Sequence, residues 1–270
     1  MSVAAHTDAS QGSFQTAQVV AHILDAVNRA AFVDEPFWHL EMTEVFPAEL
    51  YRRMRAAMPE ASEYRALKGR YNGNIQADGS STRIKIDLFP EYIRHLPPEK
   101  RAVWDLVGSA LQAPELKEAF MRRLAPGLER RFGADFMKTD LYPVPMLTRD
   151  VTGYKIRPHT DTRWKGITVQ FYLPEDESVS HIGTRFDRQK PDGSFEMVHR
   201  MPFSPNTGYA FAVGTDTWHS VDKLGPEVRS RDSILHTYFV DETVQHKLMN
   251  RGKRVGNFLK NEFRHAARLR

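Results

Sequence analysis

The chain contains no cysteine among its 270 residues. Disulfides, thiolate metal ligands and cysteine nucleophiles are thereby excluded together. Any bound metal must be held by nitrogen and oxygen, which suits hard or borderline cations such as Fe(II), Mn(II) or Zn(II). Long hydrophobic runs are missing too. Nothing approaches the ~20 apolar residues of a membrane span, and the opening MSVAAHTDASQGS lacks the basic-then-apolar order of a secretory signal. A cytoplasmic protein without membrane contact is expected. Charge is nearly balanced at +4, and the one concentrated basic stretch lies near the C-terminus, where Lys247, Arg251, Lys253, Arg254, Lys260, Arg264, Arg268 and Arg270 stand against Glu262 alone. Anchored by Phe258, Leu259 and Phe263, residues 243–270 read as a solvated basic helix. With no DNA- or RNA-binding motif in the chain, nucleic acid is not an expected partner.

What is present is a globular pattern that changes character part-way along. In the first half Val19, Ile23 and Val27 recur at helical spacing, FPAELYRRMRAAMP continues through Leu50 and Met54, and Val103, Val107 and Leu111 form a stripe followed after Pro114 by Leu116, Phe120 and Leu124. These are packing faces of helices. Between them GRYNGNIQADGSS (69–81) reads as a loop, and a candidate lid, feeding the alternating strand TRIKIDL. From about residue 136 the period falls to two. GITVQFYLP sets Ile167, Val169, Phe171 and Leu173 against Thr168, Gln170 and Tyr172, and GYAFAVG, DTWHSVD and RDSILHTYFV follow between turns. Short strands at this spacing predict an antiparallel sandwich or jelly roll. No flexible linker separates the halves. The expectation is a single α+β domain, 1–270: a mainly helical buttress over 1–135, a β core over 136–242 and the basic helix after it.

The chemistry centres on RPHTD. His159 and Asp161, at i and i+2 of an extended segment, point to the same face and can reach one ion. A third ligand is offered by His219 in DTWHSVD. Two imidazoles and a carboxylate on one side of Fe(II) leave the opposite positions open, the arrangement of non-haem iron oxygenases. Further on, Arg231 and Ser233 share parity with Leu235 and Thr237 on a strand. An arginine inside a β core needs an anion, and its planar fork fits a carboxylate. The remaining histidines of this half, His181, His199 and His236, read as surface or packing residues, and Trp164 and Trp218 as rim or core aromatics.

The order His-x-Asp, His, Arg-x-Ser resembles that of the iron(II)/2-oxoglutarate-dependent oxygenases, over roughly residues 136–242. The resemblance implies a double-stranded β-helix, with iron held by His159, Asp161 and His219. It also implies that Arg231 and Ser233 bind the distal carboxylate of 2-oxoglutarate. The family's usual spacing after the second histidine is met by Arg229, and its Arg-x-Ser pattern by Arg231. Tyr154 and Gln170 are further candidates to touch the cosubstrate. The iron halogenases of this family carry a small residue in place of the aspartate, so the intact Asp161 points to oxygenation. The implied reaction consumes O2 and 2-oxoglutarate, releases succinate and CO2, and hydroxylates an unactivated C–H bond. Lys155, Arg157, Arg163, Lys165 and Arg185 near the metal strand favour a small anionic substrate, such as an amino acid derivative. The rivals are a cupin-like metalloenzyme that makes no use of 2-oxoglutarate and a non-catalytic jelly-roll binding protein.

Overall fold

The computed structural model describes residues 14–67, 75–76 and 78–240. The expected basic helix at 243–270 therefore lies outside the described residues, as does most of the candidate lid. Of the latter, Ile75 bridges Ser81 across a turn through Gly79, whose φ of 79° suits glycine.

The first half contains the helices that its apolar spacing predicts: α1 (Thr16–Arg29), α2 (Ala48–Ala56), α3 (Pro90–Ile93), α4 (Pro98–Leu111), α5 (Pro114–Arg123) and α6 (Ala125–Phe132). Prolines open α3, α4 and α5 within their first turns, where a missing N–H costs no helical hydrogen bond. It also contains four short strands: β1 (Ala31–Val33), β2 (His39–Met42), β3 (Arg65–Ala66) and β4 (Arg83–Asp87). Only β4 is foreshadowed by alternation.

The second half supplies β5 (Leu141–Asp150), β6 (Ile156–His159), β7 (Lys165–Tyr172), β8 (Arg185–Gln189), β9 (Phe195–Arg200), β10 (Gly208–Ala212), β11 (His219–Val221) and β12 (Arg231–Val240). They form two antiparallel sheets. The larger runs β1-β2-β10-β7-β12-β5-β4-β3 and the smaller β6-β11-β8-β9. From β5 onward the chain crosses repeatedly between the sheets, giving the four-plus-four order of a jelly roll. The strands of the first half extend the larger sheet at both edges.

The larger sheet is buried on both faces, for different reasons. Ile167, Val169, Phe171, Leu147, Ile234 and Tyr238 face the helices and join Val19, Ile23, Trp104 and Phe120 in one apolar cluster. Contact there is close: a Cβ on Gly108 of α4 would meet the carbonyl oxygen of Leu88 at 2.3 Å, so only glycine lets the helix approach. The indole of Trp104 donates to the carbonyl of Ala57 at 2.8 Å, tying α4 to the end of α2. Alternate residues of the same strands face the smaller sheet. There a second apolar cluster of Phe37, Phe186, Phe203, Phe211 and Val221 surrounds a polar layer. No helix among the described residues is long and apolar enough to cross a membrane.

Candidate metal centre

His159 ends β6 and His219 begins β11, and the two are direct partners in the antiparallel register. Side chains of such a pair lie on one face. Their ring centroids are 4.3 Å apart. Asp161, two residues past His159, completes the group: a nitrogen from each ring and a carboxylate oxygen all lie within 4.8 Å of one another.

Each of the three side chains is held by a second contact. His159 Nδ1 lies 3.0 Å from the carbonyl of Arg157, and His219 Nδ1 is 3.0 Å from that of Thr217. A carbonyl only accepts, so both rings carry their proton on Nδ1 and keep a lone pair on Nε2. Asp161 receives Lys165 Nζ on Oδ1 and the Thr168 hydroxyl on Oδ2, both at 2.6 Å. Lys165 and Thr168 belong to β7, so the carboxylate ties the smaller sheet to the larger.

Burial and neighbouring charge set the protonation of the three side chains. Burial pushes His219 down to about 4, helped by the neighbouring His159. Burial lowers His159 as well, against the pull of Asp161. For Asp161 burial acts upward, but the charges of Lys165 and His219 outweigh it and hold the carboxyl well below the usual carboxylate range. At neutral pH the group is two neutral imidazoles and one carboxylate, the protonation state that binds a metal without first losing a proton. With bonds near 2.1 Å to a first-row cation, small side-chain rotations bring all three onto one ion.

Solved structures that resemble the chain include prolyl 4-hydroxylases and a member of the 2OG-Fe(II) oxygenase family. A prolyl-4-hydroxylase of Pseudomonas putida matches at 17% identity and TM-score 0.47, over 82% of this chain and 98% of its own. An oxidoreductase of the 2OG-Fe(II) oxygenase family from Burkholderia pseudomallei matches at 11% and 0.42, over 84% and 91%. A prolyl 4-hydroxylase of Phytophthora capsici matches at 12% and 0.48, over 86% and 68%. No family model and no curated protein matches.

Arg231, at the start of β12, is wholly buried between the sheets, whereas Arg229 is exposed ahead of the strand. The Arg231 guanidinium contacts Asp150 at 3.0 Å, the carbonyl of Ile182 at 3.1 Å and the Thr184 hydroxyl at 2.9 Å. Asp150 is also gripped by Arg83, at 2.6 and 3.0 Å. Arg83, Asp150 and Arg231 form one row across β4, β5 and β12. Two guanidiniums share one carboxylate, which leaves a positive charge.

Ser233 meets Thr148 at 2.9 Å and receives the Gln170 amide at 2.7 Å, while Tyr209 donates to the other end of Gln170 at 2.6 Å. Tyr154 is buried beneath Arg83, and among the described residues its hydroxyl has no partner. The hydroxyl of Thr237, inside the same polar layer, is likewise unpaired. Buried hydroxyls in this state are what an incoming polar ligand satisfies.

Arg83, Asp150, Lys165 and Thr168 acquire their roles only through strand pairing, and the sequence pattern had signalled Lys165 alone, as a nearby charge. Of the basic residues expected to draw an anionic substrate, Lys165 is paired with Asp161, and Arg185 with Asp187 and Asp222. Arg157 and Arg163 are exposed. Trp218 packs on Phe195 of β9. His181 is exposed, and His236 is buried on the helix side against Tyr238. His199 is not simply a packing histidine: it meets His39 and Glu41.

Proposed function

We propose that the chain is an Fe(II)/2-oxoglutarate-dependent dioxygenase that hydroxylates a small anionic molecule. The observation that carries this reading is the convergence of His159, Asp161 and His219, whose ligand atoms lie within 4.8 Å of one another at paired neighbouring strands. Three protein ligands leave open positions for a bidentate 2-oxo acid and O2. Bound iron would supply the oxidative decarboxylation of 2-oxoglutarate to succinate and CO2, with one oxygen atom of O2 passing to succinate and the other to the substrate C–H bond.

The rest falls to the chain's own residues. Arg231 would receive the distal carboxylate, using the charge that Asp150 does not cancel. Its partner Thr184 lies two residues from Phe186, which pairs with His219. The guanidinium is thus about 7 Å along the strand from the histidine row, a span suited to a five-carbon diacid. Ser233, Gln170 and Tyr154 would orient the cosubstrate, and Phe211, 5.1 Å from the His219 ring, would help exclude water. Exposed Arg157 and Arg163 beside the ligand strand support an anionic substrate. The one feature favouring a cupin-like enzyme is that Arg231 already has a carboxylate partner in Asp150.

Uncoupled turnover separates the two readings. Under air, with Fe(II) and 2-oxoglutarate, the protein should release succinate, and Asp161→Ala should not. Iron binding without any succinate from 2-oxoglutarate, with or without candidate substrates, would favour the cupin-like reading.

A further inference from the structure

A second group of metal-type ligands lies on the other side of the barrel interior. His39 and Glu41 occupy alternate positions of β2, facing the smaller sheet, while Leu40 and Met42 between and after them face the helices. His199 on β9 completes the group, with one ligand atom from each residue within 4.8 Å of the others. His-x-Glu on one strand and a distant histidine on another repeat the donor set of the first cluster, with glutamate in place of aspartate.

The local geometry shows why these residues are more than a packing contact. His39 is wholly buried, and its Nδ1 lies 2.8 Å from the carbonyl of Phe37. That contact to a backbone carbonyl is the device seen in His159 and His219, and it turns Nε2 towards Glu41. Among the described residues that atom has no hydrogen-bond partner, yet it lies 3.5 Å from Glu41 Oε1. A buried ring nitrogen close to a carboxylate oxygen but outside normal hydrogen-bond distance leaves a place where one shared cation would satisfy both. The same Oε1 contacts His199 Nε2 at 2.5 Å, so both rings converge on one oxygen.

The two clusters are distinct. His159, His219, Phe186 and His199 form one row across β6, β11, β8 and β9, with Phe186 between the groups. His219 and His199 are two strand spacings apart, about 10 Å. On the opposite sheet Phe211, the register partner of His39, stands against the His219 ring.

We propose that His39, Glu41 and His199 form a second divalent metal site, for a borderline first-row cation such as Zn(II) or Co(II). Two imidazoles and a carboxylate suit those ions. The site joins β2, near one edge of the larger sheet, to β9, the edge of the smaller, so a bound ion clamps that side of the sandwich. His199 and Glu41 are one-third and one-quarter exposed, which gives the ion a way in and keeps a coordination position open. The proposal does not depend on the function assigned to the first cluster.

Equilibrium dialysis of the tag-free full chain against Co(II), followed by metal analysis, tests it. Wild type should retain two equivalents, His199→Ala one, Glu41→Gln one and His219→Ala one. Since His219→Ala should keep its ion at the second cluster, Co(II) should raise its melting temperature, and adding His199→Ala should abolish that rise. Circular dichroism of each metal-free variant checks that the fold persists. Two equivalents in both wild type and His199→Ala would overturn the proposal, as would one equivalent in wild type that only His219→Ala removes. One equivalent lost only with His199→Ala and Glu41→Gln would support the second site while removing the first.

Discussion

The two faces of the larger sheet are built from alternate residues of the same strands, yet they do different work. Towards the helices, Ile167, Val169, Phe171, Ile234 and Tyr238 are closely packed and almost entirely apolar. Towards the smaller sheet, Thr168, Gln170, Tyr172, Arg231 and Ser233 are equally buried but polar. Apolar burial contributes roughly 25 cal/mol per Å² without regard to direction. The polar face costs desolvation that only well-placed partners offset. One face thus stabilises the fold, and the other spends part of that stability on oriented donors, a surplus positive charge and unpaired hydroxyls.

The comparison can be broken from either side. The largest effect is expected on the helix face. Phe171→Ala should cost about 3–5 kcal/mol, read by chemical denaturation, while folded protein keeps its metal stoichiometry. On the inner face, Arg231→Met leaves Asp150 paired with Arg83 but removes a charged donor worth about 1.5–3 kcal/mol. That is roughly 10- to 150-fold weaker 2-oxoglutarate binding, with Fe(II) affinity little changed, by anaerobic calorimetry. Thr168→Val keeps the shape but removes a hydroxyl that orients Asp161. It should weaken Fe(II) binding by about 10- to 100-fold and leave the fold nearly as stable.

An effect confined to acid concerns His236, a polar residue on the apolar face. Both its ring nitrogens lack partners among the described residues, and burial pushes it down to about 3 from an ordinary 6.5. A histidine depressed in the folded state binds its proton more readily when unfolded. Its contribution to stability is therefore complete above about pH 6.5 and is lost as pH falls towards 3. His236→Leu should flatten that part of the stability–pH profile of the metal-free protein. An unchanged slope would mean that other groups, His219 among them, dominate acid unfolding.

Much of the inner face was legible in the sequence because strand periodicity and the His-x-Asp spacing are local. The same parity that placed Arg231 and Ser233 inward also placed Thr237 there. What local pattern could not supply was pairing. Arg83 meets Asp150 across 67 residues, and Glu41 meets His199 across 158. Strands β1 and β2 went unread because they span only three and four residues, too short for an alternation to register. Their inclusion carries His39 into the barrel and turns His199 from an edge histidine into a member of a cluster. Arg231 shows the other limit: its inward direction was legible, but not that Asp150 would share it with a second arginine.

Anaerobic titration with Fe(II) and then 2-oxoglutarate, followed by visible absorption, tests the central claim most directly. The account expects a weak charge-transfer band from the chelate, absent in His219→Ala and needing far more 2-oxoglutarate in Arg231→Met. Stoichiometric iron binding with no band at any 2-oxoglutarate concentration would contradict it.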